Sequence, residues 1–160
     1  MLSESGNWRS YICNVNDALA SIFLDLEYYD VAPVDGLPVL AWLFIKLKMP
    51  DDRGCSTDEE FEALCSYEDD IFHAIAEMND VHYVGRITTQ GMRQFYFYTS
   101  ADLELDKSLD VVVAKYSDYL YQFGSKPDQN WTQYLELLYP GPQRMEQIEK
   151  SIAQEPTGAD

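Results

Sequence analysis

The chain has 160 residues, 46% hydrophobic and 14% aromatic, which is the material of one domain with a packed core and excludes a disordered polymer. Eleven Lys and Arg face 28 Asp and Glu, for a formal charge of −17 and a pI near 4.2. That balance argues against phosphate backbones and anionic membranes as partners; it suits a basic protein partner, with simple solubility as the plainer explanation.

Trp8 to Val15 and Ala18 to Leu26 alternate in side-chain character about Asn16-Asp17, which predicts a first β-hairpin. Glu27 to Leu37, with its prolines and glycine, is a loop. Pro38 then opens a strand, Val39 to Lys48, apolar on both faces through Ile45 and so expected at the centre of a sheet. After the Met49–Cys55 turn, Ser56 or Thr57 is placed to cap a helix reaching about Asn79. Thr57 with Glu60 fits a capping box, and Asp58, Glu59 and Glu60 complement the helix dipole. At 100° per residue, Phe61, Leu64, Ile71, Phe72, Ile75 and Met78 share one side, and Glu59, Glu62, Asp69, Asp70 and Glu77 share the other. Glu68 falls in the middle of the apolar stripe.

Val81 to Ser100 predicts a second hairpin, turning at Gln90-Gly91. Uninterrupted alternation puts His82, Val84, Arg86 and Thr88 on one face with Arg93, Phe95 and Phe97. It puts Tyr83, Gly85, Ile87 and Thr89 on the other with Met92, Gln94, Tyr96 and Tyr98. Ser100 is the expected N-cap of a second helix carrying Leu105, Leu109, Val112, Val113 and Tyr116. A short strand, Tyr119 to Phe123, closes at Gly124; Lys126-Pro127-Asp128 is a turn, and Trp131, Tyr134, Leu135 and Leu138 repeat at helical spacing. Residues 1–140 are expected to form a single α+β domain, and residues 141–160 a polar helix, Arg144 to Gln154, with a loose tail. From Val39 the order strand, helix, strand, strand, helix, strand is that of a ferredoxin-like split βαβ sheet, here extended at an edge by the N-terminal hairpin.

The odd set Cys13, Cys55 and Cys65, without CxxC spacing, suits reduced thiols, and MLSESGNW lacks the pattern of a signal peptide; a cytoplasmic protein is expected. The longest apolar run, Val39 to Ile45, is far short of a membrane span. His73 and His82 have no partner at ligand spacing, and Asp51, Asp52 and Asp58 lack the glycine and glutamate of a calcium loop, so no metal or cofactor is expected. No nucleophile sits beside a base, so an enzyme is not the favoured reading.

Three surfaces remain as candidates. Glu68, Arg86 and Arg93, with Thr88 nearby, form either an internal ion pair or a pocket for an anionic small molecule, hydrolytic chemistry included. The acidic helix face Glu59, Glu62, Asp69, Asp70 and Glu77 suits a basic protein partner, which makes a non-enzymatic protein-binding or regulatory module the leading reading. Tyr83, Tyr96 and Tyr98, with Tyr119, Tyr121 or Phe123, resemble a single-stranded RNA platform, although the charge makes nucleic acid an unfavourable ligand.

Three stretches carry a family resemblance: NWRSYICNVNDALASIFLDL, YVGRITTQGMRQFYFYT with the pattern GR-x-T-x-x-G-x-R-x-F/Y-x-F/Y-Y, and NWTQYLELLYP. Together they resemble the bacterial domain of unknown function 695. The resemblance implies an α/β domain without assigned biochemistry or catalytic residues. It also implies association with domains like the ribonuclease E inhibitor called regulator of ribonuclease activity B, itself small, acidic and ferredoxin-like.

Overall fold

Asn16-Asp17 and Gln90-Gly91 adopt positive φ at both positions, 53° and 66° in the first pair and 53° and 77° in the second. Two-residue turns of this kind match the right-handed twist of the strands they join. They fold β1 (Trp8–Val15) onto β2 (Ala18–Asp25) and β4 (Val81–Thr89) onto β5 (Met92–Thr99). In this computed structural model, which describes residues 6–141, β3 (Val39–Lys46) and β6 (Tyr121–Pro127) complete a six-stranded sheet. The order is β1-β2-β4-β5-β3-β6, antiparallel at every pairing, so the first hairpin extends the sheet beside β4. Helix α1 (Phe61–Ile75) links β3 to β4; α2 (Leu105–Ser108) and α3 (Asp110–Lys115) lie between β5 and β6. The fold is α+β.

The pleat sends alternate side chains into two apolar cores. Beneath α1–α3 lie Leu43, Ile45, Leu64, Ile71, Phe95, Phe97, Leu109 and Val112. On the opposite face lie Ile22, Leu24, Leu40, Ile87 and Tyr98, covered by Trp131, Tyr134 and Leu138 of a segment ending in a π-helix, Gln133–Leu138. Asp128 sets that segment: its carboxylate accepts from Thr132 N, Gln133 N and the Tyr98 hydroxyl. Trp131 then stacks on Tyr98 at 3.9 Å and donates its indole N–H to Leu37 O.

Five expectations change. A bulge between Tyr83 and Gly85 breaks the alternation of β4, so Tyr83 pairs with Phe97 on the helix side and His82 pairs with Tyr98. The bulge moves Tyr83 across the sheet while leaving Arg86, Thr88, Arg93, Phe95 and Phe97 together. Second, α1 starts after a 3₁₀ turn, Asp58–Glu60, and stops at Ile75, not near Asn79. There is no capping box: Thr57 donates to Met49 O, while the Glu60 carboxylate turns inward to the Lys48 and Met49 amides. Two backbone donors at the end of β3 would otherwise be unpaired, a larger penalty than a missing surface cap. Phe61 consequently points outward, 63% exposed.

Third, Ser100 does not cap a helix; its amide bonds Asp80 O and keeps it beside the sheet. Fourth, the second helix is broken at Leu109, where φ −112° and ψ 13° leave the helical region, and the break lets Leu105, Leu109, Val112 and Val113 all reach the core. Last, β6 does not close at Gly124 but runs on to Pro127. The Trp42 indole lies against Gly124, where a Cβ would come within 2.3 Å of the ring, and a proline is tolerated on an edge strand. The expected helix Arg144 to Gln154 and the tail after it lie outside the described residues.

Candidate functional site

Between α1 and the sheet runs a polar layer built on the second hairpin. Glu68, 4% exposed, leaves α1 toward β4 and forms an ion pair with Arg86 Nη1. Its second oxygen accepts from the Tyr83 hydroxyl at 2.6 Å. The Arg86 guanidinium lies 4.4 Å from the Phe23 ring centroid, and Trp8 stacks on that ring at 4.8 Å. A cation between a carboxylate and an aromatic face is stabilised from both directions. Burial alone would lower the pKa of Arg86, but Glu68 outweighs it and the net direction is upward. The bulge brings Tyr83 into this layer, a contribution that strict alternation concealed.

Arg93 differs. It is 7% exposed, its Nε donates to Thr88 Oγ1 at 3.0 Å, and Nη2 donates to Ser56 Oγ at 3.3 Å. Among the described residues it has no carboxylate within ion-pair distance. Burial and the neighbouring Arg86 push its pKa down to about 10, so the guanidinium stays charged at neutral pH. The hairpin pattern acquires physical content here. Gly85 admits the β2 backbone, since a Cβ there would lie 2.9 Å from Phe23 O. Gly91 supplies the turn, Thr88 receives Arg93, and Phe95 and Phe97 fill the core.

The acidic residues expected on one helix face are spread over three elements. Glu62, Asp69 and Asp70 lie on α1, Glu59 in the preceding 3₁₀ turn, and Glu77 beyond the helix end. Asp70 is engaged: its carboxylate accepts from Lys115 Nζ at 2.8 Å and from the Tyr116 hydroxyl at 2.6 Å, and these bonds, Lys115 first, hold it below the usual carboxylate range. Glu62, Ser66, Asp69, Asp70, His73 and Tyr116 line an open depression of about 550 Å³ between α1 and α3.

The aromatic platform is not assembled. Tyr83 and Tyr119 belong to the helix-side core with Phe123 against it, whereas Tyr96 and Tyr98 belong to the opposite core beneath Trp131 and Tyr134. Tyr121, opposite Ile45 on edge strand β6, is exposed. His82 bonds the Tyr28 hydroxyl through Nδ1 at 2.9 Å. Asp51 closes its own turn by accepting from Arg53 N and Cys55 N. Cys13, Cys55 and Cys65 form no disulfide, and burial, followed by the Asp51 charge, pushes the Cys55 thiol upward, away from a nucleophile's range.

Two buried features had no signature in the periodicity. Glu60 accepts from Lys48 N, Met49 N and the Tyr119 hydroxyl, the last at 2.5 Å. Tyr67 is fully buried, and its hydroxyl is the one buried side-chain polar atom without a partner among the described residues. Glu60 was concealed by its place in an acidic run that reads as solvated. No helix of the described residues is long and apolar enough to cross a membrane.

A family model described as "Family of unknown function (DUF695)" matches residues 6–139, while no curated protein and no solved structure matches the chain. The match spans both hairpins, α1 and the Trp131–Leu138 cover together, and the chain belongs to this family of unknown function.

Proposed function

We propose that the chain is a non-enzymatic binding module whose α1–α3 face receives a basic segment of a protein partner. The depression between the two helices carries the proposal. Glu62, Asp69 and Asp70 edge it, and Lys115, the cation lining it, is tied to Asp70. A net charge of −17 extends this local field and speeds encounter with a basic partner. A finer view of the fold accompanies the proposal. The sub-order β4-β5-β3-β6, with α1 and the α2–α3 pair as crossovers, supports a ferredoxin-like unit to which β1 and β2 are added.

The test is capture of partners at low salt and at about 0.5 M salt, where the Debye length falls to about 4 Å. It is repeated with a Glu62→Lys, Asp69→Lys variant that leaves Asp70 to hold Lys115 and Tyr116. A basic protein retained at low salt, released at high salt and lost from a variant with an unchanged circular dichroism spectrum is the expected result. Equal binding of that protein by the variant refutes the surface.

A further inference from the structure

The polar layer beneath α1 does not balance in charge. Glu68 supplies one carboxylate, Arg86 and Arg93 supply two guanidiniums, and Arg86 holds the carboxylate. Buried charges are ordinarily paired, because an uncompensated ion in a low-dielectric interior costs several kcal/mol. Arg93 has hydroxyl dipoles as its direct partners, and the Glu68 charge acts on it from beyond ion-pair distance.

The hydrogen-bond pattern around it is directional. A guanidinium has five N–H donors, and here one on Nε and one on Nη2 are engaged. Among the described residues Nη1 has no partner and is not one of the sealed unpartnered atoms, which reduce to Tyr67 Oη, so it keeps some contact with solvent. Thr88 and Ser56 each accept a bond from Arg93 through their hydroxyl oxygens; Thr88, 1% exposed, holds Nε in place, while the hydroxyl proton of half-buried Ser56 stays available to a third group. Ser56 and Cys65 are half-buried, in keeping with an opening on that side. The Ser56 loop is fixed against the hairpin turn, since Gly91 N donates to Gly54 O at 2.9 Å and the Gly54 Cα sits close to the Gln90 backbone.

We propose that Arg93 and Ser56, with Thr88 positioning the guanidinium, form a binding site for a phosphoryl group, presented as inorganic phosphate or as a small phosphomonoester. The guanidinium contributes charge and its unengaged Nη1 donors, and the Ser56 hydroxyl contributes a donor from another direction, a set suited to a small oxyanion. The ligand is small and carries a single phosphoryl group. A polyanion would have to approach against a protein of charge −17, whereas at physiological salt a local site is shielded from charges beyond about 8 Å. The site is separate from the α1–α3 depression and needs no protein partner.

The experiment follows the Arg93 Nε–H resonance in ¹H–¹⁵N spectra while inorganic phosphate, glycerol phosphate, acetate or chloride is added at constant ionic strength. Additions up to about 10 mM detect a Kd near 1 mM. A saturable shift with phosphate or the phosphomonoester, weaker with acetate and absent with chloride, is expected; the tighter of the first two identifies the source of the group. Ser56→Ala, on a partly exposed loop, should raise the Kd roughly tenfold or more, as loss of one hydrogen bond to a charged group does. No saturable shift, acetate binding as tightly as phosphate, or an unchanged Kd in folded Ser56→Ala each overturns the assignment.

Discussion

Replacing Glu68 with Gln isolates the electrostatic part of the helix–sheet contact. The amide has nearly the same shape and can still accept from Tyr83, but it leaves Arg86 and Arg93 beneath α1 with no carboxylate between them. Removing one partner of a buried ion pair costs about 3–5 kcal/mol. Here the Glu68 side chain is 5% exposed but that of Arg86 is 19%, and Phe23 still stacks on the guanidinium. Partial hydration and the cation–π contact place the expected loss at the lower end, about 3 kcal/mol. For a domain of this size that corresponds to a fall in Tm of roughly 6–12 °C. Urea unfolding followed by far-ultraviolet circular dichroism measures it, with an unchanged m-value showing that the unfolded state is the same. Lys107→Ala is the control, since it breaks the exposed Glu104–Lys107 pair and should leave the midpoint in place. A loss below about 1 kcal/mol for Glu68→Gln would equate the buried pair with a surface pair and refute the reasoning.

Gly85→Ala should destabilise by about 1–3 kcal/mol, because the new methyl meets Phe23 O and the Leu24 backbone rather than a movable side chain; a midpoint matching the parent's in the same urea assay would disprove the close approach. Acid should weaken the fold through Glu60 and Asp128. Burial alone would raise both carboxyls, but their hydrogen-bond donors outweigh it, chiefly Lys48 N for Glu60 and the Tyr98 hydroxyl for Asp128. With folded-state values below the unfolded ones, their contribution is complete above the ordinary carboxylate range and is lost as pH falls through the folded values. Urea midpoints should therefore drop from pH 7 to pH 3.5, and Glu60→Gln should flatten that slope; an unaltered slope would remove Glu60 from the account.

The hairpins were legible because turn chemistry is local: Asn16-Asp17 and Gln90-Gly91 can each adopt the φ values that reverse the chain in two residues. Glu68 was legible because it interrupts an apolar stripe, and a carboxylate on a buried face needs a partner. The faces of β4 were not, since a bulge leaves no mark in the alternation until the partner strand is known. The cap on α1 was misread for a related reason. Thr57 and Glu60 have the right spacing, but the demand of the Lys48 and Met49 amides comes from a stretch just after β3, 12 and 11 residues before Glu60 in the chain. Periodicity likewise does not register that Leu105, Leu109, Val112 and Val113 meet the core through a break at Leu109 rather than along one straight helix. Arg93 was expected to share Glu68 with Arg86; in three dimensions Arg86 takes the carboxylate and Arg93 is left to hydroxyls.

Strand β6 gives the sheet an outer row of amide and carbonyl groups that no described strand pairs. Such a row is a template on which another copy can add a strand, the first step of self-association. Its far end carries Lys126 and Pro127, and Pro127 has no amide proton to contribute to a further ladder. Each copy also carries a charge of −17 at neutral pH, so two edges that approach do so against mutual repulsion. Near the pI of about 4.2 that repulsion vanishes, and the edge retains only its proline and lysine as protection. The acidity of the chain therefore also serves colloidal stability, keeping an open sheet edge from becoming a seed for aggregation.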